Sequence, residues 1–164
     1  MNHVLVVYYS LTGNTRLIAN IIKKYLDVDI LELKPINPLN PTGMSKYFWG
    51  GMQSTLEFKP KLEKFDININ QYELFILGTP VWAWNFTPPM RSFISMVDLS
   101  GKKVALWMCS SGFGLRAIDR FKNALKDAII ISTMQFQEPL NKNRVKLEEK
   151  IQKWINELKY ELSS

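Results

Sequence analysis

The chain has one cysteine among 164 residues, Cys109, so no internal disulfide can form and nothing points to an oxidising compartment. It has one histidine, His3, at the start of the first apolar run, and no cluster of Cys, His and acidic residues has metal-ligand spacing. No catalytic acid or base stands out. No apolar stretch reaches the roughly 18 residues of a transmembrane helix. The opening MNHVLVVYY lacks the basic region and small-residue cleavage site of a signal peptide. These absences predict a cytoplasmic protein with no bound metal and no membrane association. Acidic residues are also scarce, 15 against 21 basic ones, which leaves a net charge of +6. The excess is dispersed, and in NKNRVKLEEKIQKWINELKY glutamates alternate with lysines as on a solvated helix face. No zinc-finger, RNA-binding or helix-turn-helix pattern accompanies the charge, so nucleic acid is not an expected partner.

What is present is a regular alternation of strands and helices. The length suits one domain, expected to span residues 1–164. Apolar runs at 3–9, 29–34, 74–79 and 103–109 read as strands, with a fifth at 127–136. They are nearly continuous rather than alternating, as in a parallel sheet covered on both faces. Helical patterns fall between and after them, at 14–26, 88–97, 114–127 and 144–159. The first places Leu17, Ile18, Ile21, Ile22 and Tyr25 on one face. The second begins at Pro88 and Pro89, where proline is tolerated. This order predicts a doubly wound α/β fold with right-handed crossovers. Residues 35–71 interrupt it. Three prolines between 35 and 41 argue against regular structure there, and MSKYFWGGMQSTLEF (44–58) reads as a helix with a weak point at Gly50–Gly51. Met44, Trp49 and Met52 in that stretch are expected to serve as core and partial cover of a ligand. A connection this long is usually functional or carries its own small element.

In an open parallel sheet, ligands bind beyond the carboxyl ends of the strands. Three loops lie there: SLTGNT (10–15), TPVWAWNFTPP (79–89) and CSSGFG (109–114). None contains an acidic or basic residue. The first holds five small polar residues, Ser10, Thr12, Gly13, Asn14 and Thr15, just before a helix. A helix N-terminus offers free N–H groups and partial positive charge, which suit a phosphate without any cationic side chain. A helix cap alone needs only one such residue. A Walker loop requires a lysine and a Rossmann turn requires GxGxxG, and neither occurs here. The second loop sets Trp82, Trp84 and Phe86 outside any expected strand or helix. Core packing accounts for one of them, and stacking on a flat ligand suits the others. The third contains a literal GxGxxA, but on the fourth strand and without the acidic ribose partner, so it reads as a tight loop whose backbone meets a ligand edge. Cys109 beside it reads as an inert strand-end thiol. A phosphate loop, an aromatic loop and a small-residue loop at one sheet edge describe a site for a flat phosphorylated cofactor.

At this point the sequence resembles a known family. YSLTGNT is similar to the flavodoxin phosphate loop, [ST]-x-T-G-N-T, and ELFILGTPVWAWNFTPPMRSFI is similar to the third strand and second flavin loop of bacterial flavodoxin-like proteins. YFWGGMQSTLEFKPKL also resembles a segment of that subgroup. The resemblance implies a five-stranded sheet of order 2-1-3-4-5 with helices on both faces, and FMN as cofactor. By residue-to-residue carry-over, Ser10, Thr12, Gly13, Asn14 and Thr15 would hold the phosphate. Pro80, Val81, Trp82, Ala83, Trp84 and Asn85 would line one side of the flavin, with either tryptophan as stacker. Ser110, Ser111, Gly112, Phe113 and Gly114 would line the other. The implied function is electron transfer to a redox protein. The alternative is an oxidoreductase taking hydride from NAD(P)H to a quinone-type acceptor, which the basic balance suits. A flavodoxin-fold binding module without flavin is a third reading, which the intact SLTGNT disfavours. Because the loops lack carboxylates, the fully reduced flavin is expected to form at a less negative potential than in acidic flavodoxins. Because PVWAWN lacks a glycine for a carbonyl flip, leaving Asn85 to accept φ > 0, one-electron-reduced flavin is expected to accumulate weakly.

Overall fold

The computed structural model describes residues 3–37, 58–112 and 114–163. The 44–57 part of the expected middle helix, with Met44, Trp49 and Met52, lies outside them, as does Phe113. Strand β1 (Val4–Tyr8) is followed by helix α1 (Asn14–Tyr25), β2 (Asp29–Glu32), β3 (Leu74–Trp82), a two-residue β4 (Asn85–Phe86) and α2 (Pro88–Met96). Then come β5 (Lys103–Ser110), α3 (Leu115–Ala124), β6 (Ile129–Gln137) and α4 (Arg144–Ser163). The main sheet is parallel in the order β2-β1-β3-β5-β6. Counted without the short β4, this is the expected 2-1-3-4-5.

Successive side chains of a strand point to opposite faces, and the core divides accordingly. Val4, Val6, Leu74, Ile76, Ala105 and Trp107 pack against Ile18, Ile21 and Ile22 of α1 and Ile151, Trp154 and Leu158 of α4. Leu5, Val7, Phe75, Leu77, Val104 and Leu106 pack against Met90 and Phe93 of α2 and Ile118 and Phe121 of α3. Apolar residues on both faces explain the unbroken runs in the sequence. Gly78 is paired in register with Trp107, and a Cβ on Gly78 would overlap the indole ring. The missing side chain lets the largest residue of β5 lie across β3.

One expectation needs correction. β3 does not stop at Thr79 but runs on to Trp82, then doubles back through β4, with Val81 opposite Phe86 and Trp82 opposite Asn85. Residues 80–86 are therefore a hairpin rather than an open loop. Residues 35–37 belong to no helix or strand, in line with the prolines there. Pro35 forms an isolated antiparallel bridge with Leu62, through hydrogen bonds donated by the N–H groups of Ile36 and Glu63. Proline is compatible with such a bridge because its neighbours supply the donors.

Candidate functional site at the carboxyl edge of the sheet

The loop after β1 is shaped by one hydroxyl. Ser10 Oγ accepts the N–H groups of Gly13 and Arg16, each at 3.2 Å. The first intrahelical bond of α1 runs from the Leu17 N–H to the Gly13 carbonyl. Of the four N–H groups a helix start leaves free, Ser10 takes two, and those of Asn14 and Thr15 remain for a ligand. Gly13 stands at φ 99°, which favours glycine, and closes the turn. The Asn14 side chain donates to Thr12 Oγ1 at 3.3 Å and accepts the Leu140 N–H at 3.0 Å, tying the loop to the segment after β6. Thr15 Oγ1 is buried beside the Cys109 thiol and makes no hydrogen bond of good geometry. Buried hydroxyls are otherwise nearly always satisfied. Arg16 comes directly after, but its guanidinium turns to an ion pair with Glu32, which also accepts from the Tyr8 hydroxyl. The loop thus presents neutral donors only.

The second wall is the 80–86 hairpin. Its two turn residues, Ala83 and Trp84, have φ 47° and 57°. That is the backbone of a two-residue hairpin turn with φ > 0 at both positions, which usually takes Asn-Gly or Asp-Gly. Asn85, the residue expected to accept positive φ, instead lies buried in β4. The hairpin is held from beneath. Thr79 and Thr87 hydroxyls are 2.8 Å apart, and the Thr87 N–H donates to Thr79 Oγ1 at 3.1 Å. Phe86 stacks on Phe121 at 4.8 Å, with the Arg91 guanidinium 4.2 Å from its ring centroid. Arg120 donates to the Trp84 carbonyl at 3.3 Å. These contacts hold two non-glycine residues in a region they visit rarely.

The third wall comes after β5. Ser110 Oγ donates to the Gly112 carbonyl, and Gln137 Nε2 donates to the Ser111 carbonyl at 3.1 Å. Gly114 backs onto the hairpin, where a Cβ would stand 3.1 Å from Val81 Cγ2.

Between the walls lies a cavity of about 380 Å³. Leu11, Thr12 and Asn14 line it from the first loop, Pro80, Val81, Trp82 and Ala83 from the second, and Ser110 and Ser111 from the third. Ser10, Gly13 and Thr15 stand behind the lining and shape the first loop. The two tryptophans separate. Trp82 borders the cavity, edge-on to Tyr9 at 5.7 Å and 87°. Trp84 is 64% exposed at the hairpin tip and does not line it. Asn85 and Gly112 are also outside the lining.

Three lining residues were not anticipated: Leu11, Cys109 and Glu138. Burial pushes the Cys109 thiol up to about 12, in keeping with an inert thiol. Burial likewise pushes the Tyr9 hydroxyl up to about 12. Glu138 is the only charged side chain lining the cavity among the described residues, and it stands at φ 41° just after β6. The rule that led to the other loops, inspection of the residues just beyond each strand, reaches Glu138 once β6 is included. No group of acidic, His or Cys residues able to hold a metal occurs among the described residues. No described helix is long and apolar enough to cross a membrane.

The fold and loop geometry define a doubly wound α/β protein with a loop of neutral donors at the carboxyl edge of its sheet. A family model described as Flavodoxin matches residues 3–158, and the chain belongs to the flavodoxin family. An uncharacterized protein of Archaeoglobus fulgidus is 26% identical over 157 residues, covering 90% of this chain and 95% of that one. Among solved structures, the chain is similar to a flavoprotein of Lactobacillus acidophilus in complex with FMN, with TM-score 0.72 and 20% identity, over 82% of this chain and 93% of that one. It is also similar to the two-electron reduced flavodoxin of Megasphaera elsdenii, with TM-score 0.57 and 20% identity, over 91% and 96%. At these identities the two structures bear on the fold alone.

Proposed function

We propose that this chain binds FMN in the 380 Å³ cavity and passes electrons to a redox protein. The observation that carries the reading is the neutral donor loop facing an aromatic hairpin across one cavity. The residues fit the cofactor. The free N–H groups of Asn14 and Thr15 and the Thr12 hydroxyl would hold the phosphate. Trp82 would flank the ring system on the hairpin side, with Pro80, Val81 and Ala83 completing that wall. Ser110 and Ser111 would meet the opposite side. Bound FMN supplies reversible one- and two-electron chemistry, and the chain's part is to bind it, orient it and set the charge around it. With Glu138 as the one lining carboxylate among the described residues and a net charge of +6, the reduced flavin would meet little repulsion.

The basic balance favours a second reading, an FMN-dependent NAD(P)H oxidoreductase acting on a quinone-type acceptor. Two assays on the purified protein separate these readings. Yellow protein with one FMN per chain and no NAD(P)H–quinone turnover supports the carrier. Steady-state NAD(P)H oxidation with quinone supports the reductase. Colourless protein that fails to take up FMN overturns both and leaves a binding module.

A further inference from the structure

Glu138 is out of keeping with its place in the chain. It stands at φ 41° and ψ 58°, in the left-handed region, directly before Pro139. Left-handed turn positions ordinarily take glycine or asparagine, and a residue before proline is pushed towards extended backbone. Glutamate suits neither demand. Its main chain is nonetheless pinned. The Glu138 N–H donates to the Ser110 carbonyl, and the Glu138 carbonyl accepts the Asn141 N–H, both at 2.9 Å. Two residues on, the Leu140 N–H donates to the Asn14 side chain of the first loop. Glu138 is thereby held where the third loop meets the first, on the wall of the cavity.

The side chain does nothing for the turn. It caps no N–H group of the Pro139–Asn141 turn, and it makes no hydrogen bond or ion pair among the described residues. It is half-buried rather than open to water on all sides. A non-glycine residue fixed in a rarely visited backbone region at a binding cavity points to a ligand role. Its charge says which kind. An ionised carboxylate only accepts hydrogen bonds, so its partner must be a donor and cannot be a phosphate. The neutral donors of the first loop suit the phosphate, and the hairpin suits a flat ring. The donors that remain are hydroxyls on the chain that joins ring to phosphate.

We propose that Glu138 is a specificity-determining residue for the polyol chain of the flavin, its carboxylate accepting hydrogen bonds from the ribityl hydroxyls. The proposal rests on the FMN reading of the same cavity and assigns a part of the cofactor that the neutral loop and the hairpin leave without a partner. It accounts for a glutamate at a position where the backbone alone favours glycine: the carboxylate is gained for the ligand at the expense of the turn.

The test compares dissociation constants for FMN, riboflavin and lumiflavin, which has the ring without the polyol. They are measured by quenching of flavin fluorescence on flavin-free wild-type, Glu138→Gly and Glu138→Gln proteins. Glycine takes φ 41° readily, so Glu138→Gly should fold with a melting temperature no lower than the wild type. The wild type should hold riboflavin at least about tenfold tighter than lumiflavin. Glu138→Gly should lower that preference by about tenfold and leave lumiflavin affinity unchanged. Glu138→Gln keeps the length and one acceptor and should retain part of the preference. The preference for FMN over riboflavin should not fall in either variant, because the first loop holds the phosphate. An unchanged riboflavin-to-lumiflavin ratio in Glu138→Gly, or equal affinity for these two in the wild type, would overturn the proposal, while tight FMN binding would leave the FMN reading standing. A fall in the FMN-to-riboflavin ratio instead would overturn it too, by placing Glu138 at the phosphate. Wild-type protein that binds none of the three would overturn the FMN reading itself, and the proposal with it.

Discussion

The two loops that frame the cavity solve one backbone problem in opposite ways. Both need positive φ at a tight turn. The first assigns it to Gly13 and organises the turn with a single hydroxyl, Ser10. The second imposes it on Ala83 and Trp84 and holds them through Thr79, Thr87, Phe86, Phe121 and Arg120. The turn of the first loop is shaped by its own residues, with one outside tie from Asn14 to Leu140, so its form is largely local. The second is shaped by the register of β3 with β4, so its form belongs to the surrounding structure. A local loop fails when its own glycine is changed. A supported loop fails when a prop is removed, and it gains when the strained residue is relieved.

Substitution at the local loop has the largest expected effect. Gly13→Val forces a β-branched residue to φ 99°, at a cost of about 2 kcal/mol or more, and should weaken FMN binding at least about tenfold. Thermal melts and flavin titration read the two effects separately. Removal of a prop comes next. Thr79→Val takes away the acceptor of the buried Thr87 N–H and should destabilise by about 2 kcal/mol, with a smaller loss of FMN affinity than Gly13→Val. If the two variants lost FMN affinity equally, the contrast between the loops would collapse. Glu138→Gln alters neither backbone. It should move the flavin couples to less negative values by on the order of tens of millivolts, measured by redox titration. Ala83→Gly should stabilise by roughly 0.5 kcal/mol, the relief of left-handed strain less the extra chain entropy of glycine. A destabilised Ala83→Gly variant would show that the hairpin turn is unstrained.

The smallest effect lies at the far end of α1. Lys24, Tyr25 and Arg144 hold the Glu148 carboxyl down to about 2. Its folded value is below the ordinary carboxylate value of about 4.3. Its contribution is therefore complete above that value and is lost as pH falls towards 2. Glu148→Gln should flatten the pH dependence of melting between about pH 5 and 2, with no change in FMN affinity.

The same contrast explains what the sequence disclosed. The strands and helices could be read because burial on both faces of the sheet writes continuous apolar runs. The first loop could be read because its chemistry lies in consecutive residues, Ser10 to Thr15. The 80–86 hairpin could not, because Ala83-Trp84 lacks the Asn-Gly signature and the turn is dictated by pairing with Asn85 and Phe86. Trp82 and Trp84 could not be told apart until that pairing sent one to the cavity and the other to solvent. Glu138 was missed because it reaches the cavity from the end of the last strand, through a residue with φ 41° and no sequence signal for it. Trp107 and Gly78 are paired across strands, so neither residue alone shows why the other is there.

The central claim is that a neutral loop holds the phosphate of FMN. The most direct test is the ratio of dissociation constants for FMN and riboflavin, measured on flavin-free protein by quenching of flavin fluorescence. FMN should bind tighter by about 100-fold or more, as about 2.7 kcal/mol from charge-assisted hydrogen bonds to the phosphate requires. Equal affinity for the two flavins would contradict it.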